Sequence, residues 1–134
     1  MARRWRAAAD AALAAIGLSD ANGWVVLQIA RMGEGVRQGA LAEELHISGA
    51  SLVRQLDQLE QTGLVVRIAD AGDRRANRVS LTGRGRALAA EIESAFAALR
   101  ARLLAGVSDA DLAAVNAVLD RIDARIAEQR ESRR

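Results

Sequence analysis

Ser48-Gly-Ala-Ser-Leu-Val-Arg-Gln-Leu-Asp-Gln-Leu-Glu-Gln-Thr-Gly63 is the stretch whose reading decides the fold. It continues as Leu64-Val-Val-Arg67, passes a polar loop holding Asp73-Arg74-Arg75, and resumes as Arg78-Val-Ser-Leu-Thr82. A short amphipathic helix, a Gly stop, an apolar strand, an arginine-tipped loop and a second strand thus follow one another. That order predicts a helix-turn-helix with a β-hairpin wing, its arginines placed where a DNA duplex would be met. In a helix over about 49–62, Leu52, Leu56 and Leu59 share one face by their i, i+4, i+7 spacing. Ser51, Arg54, Gln55 and Gln58 share another, and their side chains are of the types that hydrogen-bond base edges. Gly63 stands in the favoured position just past the helix end. Leu64–Ile68 and Asn77–Leu81 read as strands, and 69–76 as the exposed hairpin loop between them.

Working outward, a short helix is expected over about 38–45, with Leu41, Ala42 and Leu45 inward. His46-Ile47-Ser48 forms the turn, and Ile47 plugs the core. Before it, Arg3–Ile16 carries Trp5, Ala9, Ala12, Leu13 and Ile16 on one helical stripe ended by Gly17. Ser19 is placed to cap a second helix reaching about Met32, with Val25, Val26, Ile29 and Met32 apolar, before Gly33 and Gly35 break the chain. After the wing, Thr82 caps a long helix over about 83–104, with Leu88, Ile92, Phe96, Leu99 and Leu103 apolar. Following Gly106, Ser108-Asp-Ala-Asp111 resembles a capping box. It opens a last helix with Leu112, Val115, Leu119, Ile122 and Ile126 in near-heptad spacing. The fold class is therefore mainly α with a small β-hairpin wing. The 134 residues read as a single domain: 19–82 a DNA-binding lobe, 1–18 and 83–134 dimerisation helices.

The terminal helices are longer than so small a winged core can cover. Either they pair with the same surface of a second copy, or they fold back on their own core. A symmetric homodimer presenting two reading helices suits a pseudo-palindromic operator on double-stranded DNA.

Composition narrows the function further. The formal net charge is only +2, yet six arginines face two aspartates between Arg67 and Arg86, a local +4. Phosphate binders concentrate charge in this way, and so does a solvated basic hairpin. The absence of cysteine excludes disulfide frameworks, thiolate metal sites and thiol redox sensing. No apolar run reaches the roughly 18 residues of a membrane span, and no signal-peptide core opens the chain. A cytoplasmic protein is expected. His46 is the only histidine and has no evident acid partner. With no paired carboxylates in a cleft motif and no phosphate loop, no enzyme, metal or cofactor is expected.

These residues resemble the MarR family of bacterial transcription regulators over essentially the whole chain. The likeness rests on Leu41-Ala-Glu-Glu-Leu45, on Ser51-Leu-Val-Arg-Gln-Leu-Asp-Gln-Leu-Glu60 with Gly63-Leu-Val65, and on Asp73-Arg74-Arg75 followed by Val79-Ser-Leu-Thr82. Leu41–Leu45 alone is unspecific; the wing motif at its distance from the helix is specific. Within the family the reading-helix motif looks like the SlyA branch, with Ala50 where that branch usually has proline. The resemblance implies a dimer with interlocked N- and C-terminal helices and splayed winged lobes. It also implies a pocket between dimerisation and DNA-binding regions that often takes small aromatic acids or phenols, weakening DNA binding.

The candidate DNA-binding residues are Ser48, Ser51, Arg54, Gln55, Gln58, Asp73, Arg74, Arg75 and Arg78. Arg54 suits bidentate contact to guanine; the alternative is a surface residue paired with Asp57 at i+3. By resemblance, Asp73 holds the wing loop by pairing with an arginine while another arginine enters the minor groove. Arg78, Arg84 and Arg86 read as phosphate contacts or plain surface. For a ligand, Trp24 lies early in helix 2, where the pocket of similar proteins is found, alongside Trp5 and Arg6. An aromatic wall with a guanidinium suits an aromatic carboxylate; the alternative is that both tryptophans are interface core. The function expected is a ligand-responsive, sequence-specific transcription regulator. The competing class is a ligand-independent architectural or anti-silencing DNA binder.

Overall fold

A computed structural model of the chain describes residues 2–72 and 76–131. Within these residues six helices and three strands follow in the order α1 (Ala2–Ala15), α2 (Asp20–Met32), β1 (Val36–Arg37), α3 (Gln38–Leu45), α4 (Gly49–Gln61), β2 (Val65–Ala69), β3 (Asn77–Leu81), α5 (Gly83–Leu103) and α6 (Asp109–Glu131). Two compact units result, residues 1–100 and 101–134.

The first unit is built on the apolar stripes read from the sequence. Ala9 and Leu13 of α1, Val25, Val26 and Ile29 of α2, Leu41 and Ala42 of α3, and Leu52, Leu56 and Leu59 of α4 are buried in one core. Ile92, Phe96 and Leu99 of α5 join them, with Leu88 partly buried against the cluster. Met32 and Leu103, expected on the same stripes, are exposed instead because each sits at its helix end.

Helix ends follow local chemistry. Past α4, Gly63 N–H donates to Glu60 O (3.0 Å) and Leu64 N–H to Leu59 O (2.9 Å), the paired bonds that close a helix through a left-handed residue. Gly63 takes φ +71°, which a side chain would strain. Past α3 the same turn is made by His46 at φ 53°, a non-glycine residue in the left-handed region. Ser19 does occupy the N-cap position of α2, but its side chain makes no capping hydrogen bond. Ser108 caps α6 as expected, accepting from Asp111 N–H at 3.1 Å.

The wing is three-stranded, not a bare hairpin. β3 lies in the middle of the order β1-β3-β2, antiparallel to both neighbours. β1 pairs Val36 with Val79 and Arg37 with Arg78. Val36, Val65, Val79 and Leu81 put the sheet's inner face into the core, while Val66 and Ile68 are exposed.

α5 begins against the α4–β2 junction. Thr82 Oγ1 donates to Gly63 O (2.7 Å) and accepts from Gly85 N–H (3.0 Å). In the second unit, α6 exposes Val115, Val118, Leu119, Ile122 and Ile126 at 44–57% of their surface. No helix among the described residues is long and apolar enough to cross a membrane.

Candidate nucleic-acid interface

α4 has its three leucines buried and its opposite face open. Ser48 is its N-cap: its Oγ accepts from Ser51 N–H (3.1 Å) and donates to Ser51 Oγ (2.9 Å). Both serines therefore serve the cap first, since the first backbone N–H groups of a helix need acceptors. On the open face Arg54 and Gln58 are exposed, and Ser51 and Gln55 half-buried. Arg54 makes no hydrogen bond or ion pair among the described residues. The alternative of an Arg54–Asp57 pair is not what forms, because Asp57 is taken by Arg67. Gln58 Oε1 accepts from Asn22 Nδ2 at 3.3 Å.

Arg67 was counted from the sequence as part of a basic surface, and its position corrects that count. It is half-buried between α4 and β2, donating to Glu60 (2.6 Å) and Asp57 (2.6 Å). Its backbone N–H also reaches Glu60 Oε1 at 3.3 Å. Hydrogen bonding to Glu60 raises the Arg67 pKa, and the same bond lowers that of Glu60. Arg67 is thus a brace that fixes the outer end of α4 to the sheet.

At the base of the wing Asp70 is buried and accepts from three directions. Gly72 N–H donates to Oδ1 (2.9 Å), and Arg37 Nε (3.2 Å) and Arg78 Nε (3.0 Å) meet Oδ2. The Gly72 bond first, then the charges of Arg78 and Arg37, hold its carboxyl below the usual range against the opposing effect of burial. Arg78 also donates to Gly35 O at 2.9 Å. Two guanidiniums from paired strands thus share one carboxylate, and their remaining N–H groups stay partly exposed. Arg84 and Arg86 are likewise anchored, Arg84 to Thr62 O (3.1 Å), Arg86 to Glu34 (3.0 Å) and Leu81 O (2.9 Å). Sequence reading missed Asp70 and Arg37; a lone Asp ahead of Gly72 was the only local signal. Asp73, Arg74 and Arg75 lie outside the described residues.

Trp24 meets both other ligand candidates, Arg6 over its ring and Trp5 in the lining of one cavity, a lining that does not include Arg6. The Arg6 guanidinium lies over the Trp24 ring, 4.5 Å from its centroid. Trp24 Nε1–H donates to Asp10 Oδ1 (2.9 Å), which Arg6 Nε approaches at 3.6 Å. Phe96 packs on Trp24 with centroids 5.2 Å apart. Beside them, Trp5, Trp24, Phe96, Arg31 and Arg100 line a cavity of about 170 Å³. A larger space of about 650 Å³ between α2 and α5 was not foreseen. Its arginines are already paired, Arg31 with Glu93 and Arg86 with Glu34.

The model of the MarR family matches residues 16–76, from the end of α1 to the start of β3. The crystal structure of transcriptional regulator PA3341 is 39% identical, covers 95% of this chain and 93% of its own, and superposes with a TM-score of 0.83. A MarR-family regulator from Rhodococcus sp. RHA1 is 30% identical over 87% of this chain and 81% of its own (TM-score 0.73). A MepR variant from S. aureus bound to an oligodeoxyribonucleotide shares the fold at 23% identity, with 93% and 91% coverage (TM-score 0.63). With the capped α4 and three-stranded wing described above, these likenesses make the chain a member of the MarR family of DNA-binding transcription regulators.

Proposed function

We propose that the chain acts as a homodimer on a pseudo-palindromic operator. α4 reads the major groove through Arg54, Gln55, Gln58 and Ser51, with Ser48 at its N-cap. On the wing, Arg74, Arg75 and Arg78 address the backbone and minor groove, while Asp73 pairs with an arginine to hold the loop. The observation that carries the reading is Arg54, exposed on α4 opposite three buried leucines and without a partner among the described residues. A guanidinium kept free of ion pairs retains its full bidentate capacity for guanine O6 and N7. The apolar face of α6 supports the dimer, since five exposed large aliphatics on one helix exceed what a monomer in water ordinarily leaves open.

A small aromatic acid or phenol is the proposed effector, bound beside Trp24 with Trp5 and Arg6. A cavity of about 170 Å³ admits one ring, as a cavity of roughly 150 Å³ holds benzene. The aromatic wall favours this site over the larger space. Because Arg6 already faces Asp10, a carboxylate must compete with Asp10 for it, which favours a modest affinity. Trp24 fluorescence should be quenched on titration with salicylate, and Arg6→Ala should weaken the effect. Intact binding in both Arg6→Ala and Trp24→Ala would place the effector elsewhere.

The operator reading is tested by binding to a matched operator and its single-base variants. Arg54→Ala should lose about 1–3 kcal/mol of discrimination at one base pair per half-site. Equal loss on every sequence would show that Arg54 anchors and does not read. If salicylate-like acids neither bind nor weaken DNA binding, the ligand-independent architectural alternative is favoured instead.

A further inference from the structure

We propose that Asn22 orients the Gln58 amide so that Gln58 offers only donors to the major groove, selecting guanine or thymine over cytosine at the base it faces. The inference rests on the reading of α4 as the groove-entering helix. Gln58 stands one turn beyond Arg54 on the exposed face, and its Oε1 accepts from Asn22 Nδ2 across the α2–α4 junction at 3.3 Å. The other end of the Asn22 amide, Oδ1, is buried and unpartnered. That burial decides which way round the pair stands. Turning the Asn22 amide over would bury an NH2 group with two unmet donors in place of a carbonyl oxygen, and orphaned buried N–H groups are rarer in folded proteins than under-satisfied carbonyl oxygens.

With Oε1 turned to Asn22, the group left for a base is Nε2 with its N–H donors. Guanine presents N7 and O6 as acceptors and thymine O4, whereas cytosine presents only its N4 amino donor. A donor-only amide matches the first two and meets cytosine donor to donor. Adenine is the informative case. The bidentate glutamine–adenine pair needs Oε1 to accept from N6 while Nε2 donates to N7. Held by Asn22, Gln58 keeps only the N7 contact, so a residue type suited to adenine is turned from it. Asn22 is a positioning residue here, acting through Gln58 without touching the DNA.

The test is selection of bound sequences from random DNA by wild type, Gln58→Ala, Asn22→Ala, Asn22→Asp and Arg54→Ala, with melting curves to verify folding. Gln58→Ala should relax one position per half-site, and wild type should prefer guanine or thymine there. Asn22→Asp replaces the donor with an acceptor, drawing Nε2 inward and turning Oε1 to the groove. Preference should then move to cytosine or adenine by at least about fivefold in relative affinity, the lower limit for one good base contact. The added charge lowers affinity on all sequences alike and leaves that ratio unmoved. Asn22→Ala frees Oε1 without new charge, so adenine should gain at the same position. Wild-type preference for cytosine or adenine there overturns the proposal, as does unchanged preference in both Asn22 variants. Base preference lost in Arg54→Ala but unaltered in Gln58→Ala overturns this inference alone. Flat profiles for both show that α4 does not read bases, and the inference falls with that reading.

Discussion

Of the glycines, Gly85 is the one whose added Cβ would meet the nearest neighbour, and Gly85→Ala measures how tightly α5 is seated on the α4–β2 junction and the wing. A Cβ at Gly85 would lie 2.0 Å from Leu64 O, 3.1 Å from Leu64 C and 3.2 Å from Leu81 Cβ. Real Cβ atoms essentially never come within 3.0 Å of such a neighbour, so α5 or the start of β2 must move by about 1 Å. The obstacle is backbone, which no rotamer change relieves. Two hydrogen bonds of Thr82 fix this approach, to Gly63 O and from Gly85 N–H. Overpacking costs about 1–3 kcal/mol, and loosening those two bonds about 1 kcal/mol each. The expected loss is therefore about 3–5 kcal/mol, or roughly 10–18 °C in Tm for a chain of this length. Gly83, two residues earlier, is the control: nothing lies within 4 Å of its Cβ position. Gly83→Ala should be neutral or stabilise by about 0.4–1 kcal/mol through reduced freedom of the unfolded chain. Urea unfolding of both variants at equal protein concentration gives the comparison. A Gly85→Ala protein as stable as Gly83→Ala would refute the close approach of α5 to Leu64.

Other consequences are open to direct measurement. Leu119→Asp places a charge in the exposed α6 stripe; a dimer through that face should dissociate in sedimentation at low micromolar concentration, and an intact dimer would remove α6 from the interface. The lowered pKa of Asp70 means that its stabilising effect is complete above the ordinary carboxylate range and is lost as pH falls through its lower folded value. Asp70→Asn should therefore narrow the stability gap to wild type as pH drops below about 4, and a gap independent of pH would show that the Asp70 charge is not what holds the wing base.

How much of this was legible depended on the distance over which each feature is encoded. The buried faces of α2, α3 and α4 and the turn at Gly63 are written in spacings of three to five residues, and the structure reproduces them. β1 is two residues long and follows two glycines, too short for any alternation to register. The Asp70–Arg37 bond spans 33 positions and Asn22–Gln58 spans 36, so neither has a sequence-local signature. Arg67 illustrates a subtler limit. It alternates with Val66 and Ile68 in a run that the sequence marks only as an apolar strand. The apolar pair is exposed, and the arginine faces α4. Its inward turn goes with two carboxylates, Asp57 and Glu60, on a helix that packs against the strand.

The placement of charge alters what composition implied about DNA affinity. A local +4 between Arg67 and Arg86 suggested a basic surface whose strength scales with arginine number. Among the described residues Arg37, Arg67, Arg78 and Arg86 pair with Glu34, Asp57, Glu60 and Asp70, four cations with four carboxylates, and Arg84 bonds the Thr62 carbonyl. Counterion release depends on net charge brought to the phosphates, at about 0.9 in the log–log salt slope for each contact. Arginines already neutralised by carboxylates contribute orientation more than release. The structure therefore spends most of its local arginines on rigidity: Arg67 fixes the outer end of α4 to β2, Arg84 the carbonyl just beyond α4, and Arg37 with Arg78 the wing base. Arg54 is left unencumbered on the face such bracing holds still. Discrimination between bases depends on donors held in place before the duplex arrives, because an amide or guanidinium free to rotate can satisfy several edges about equally well.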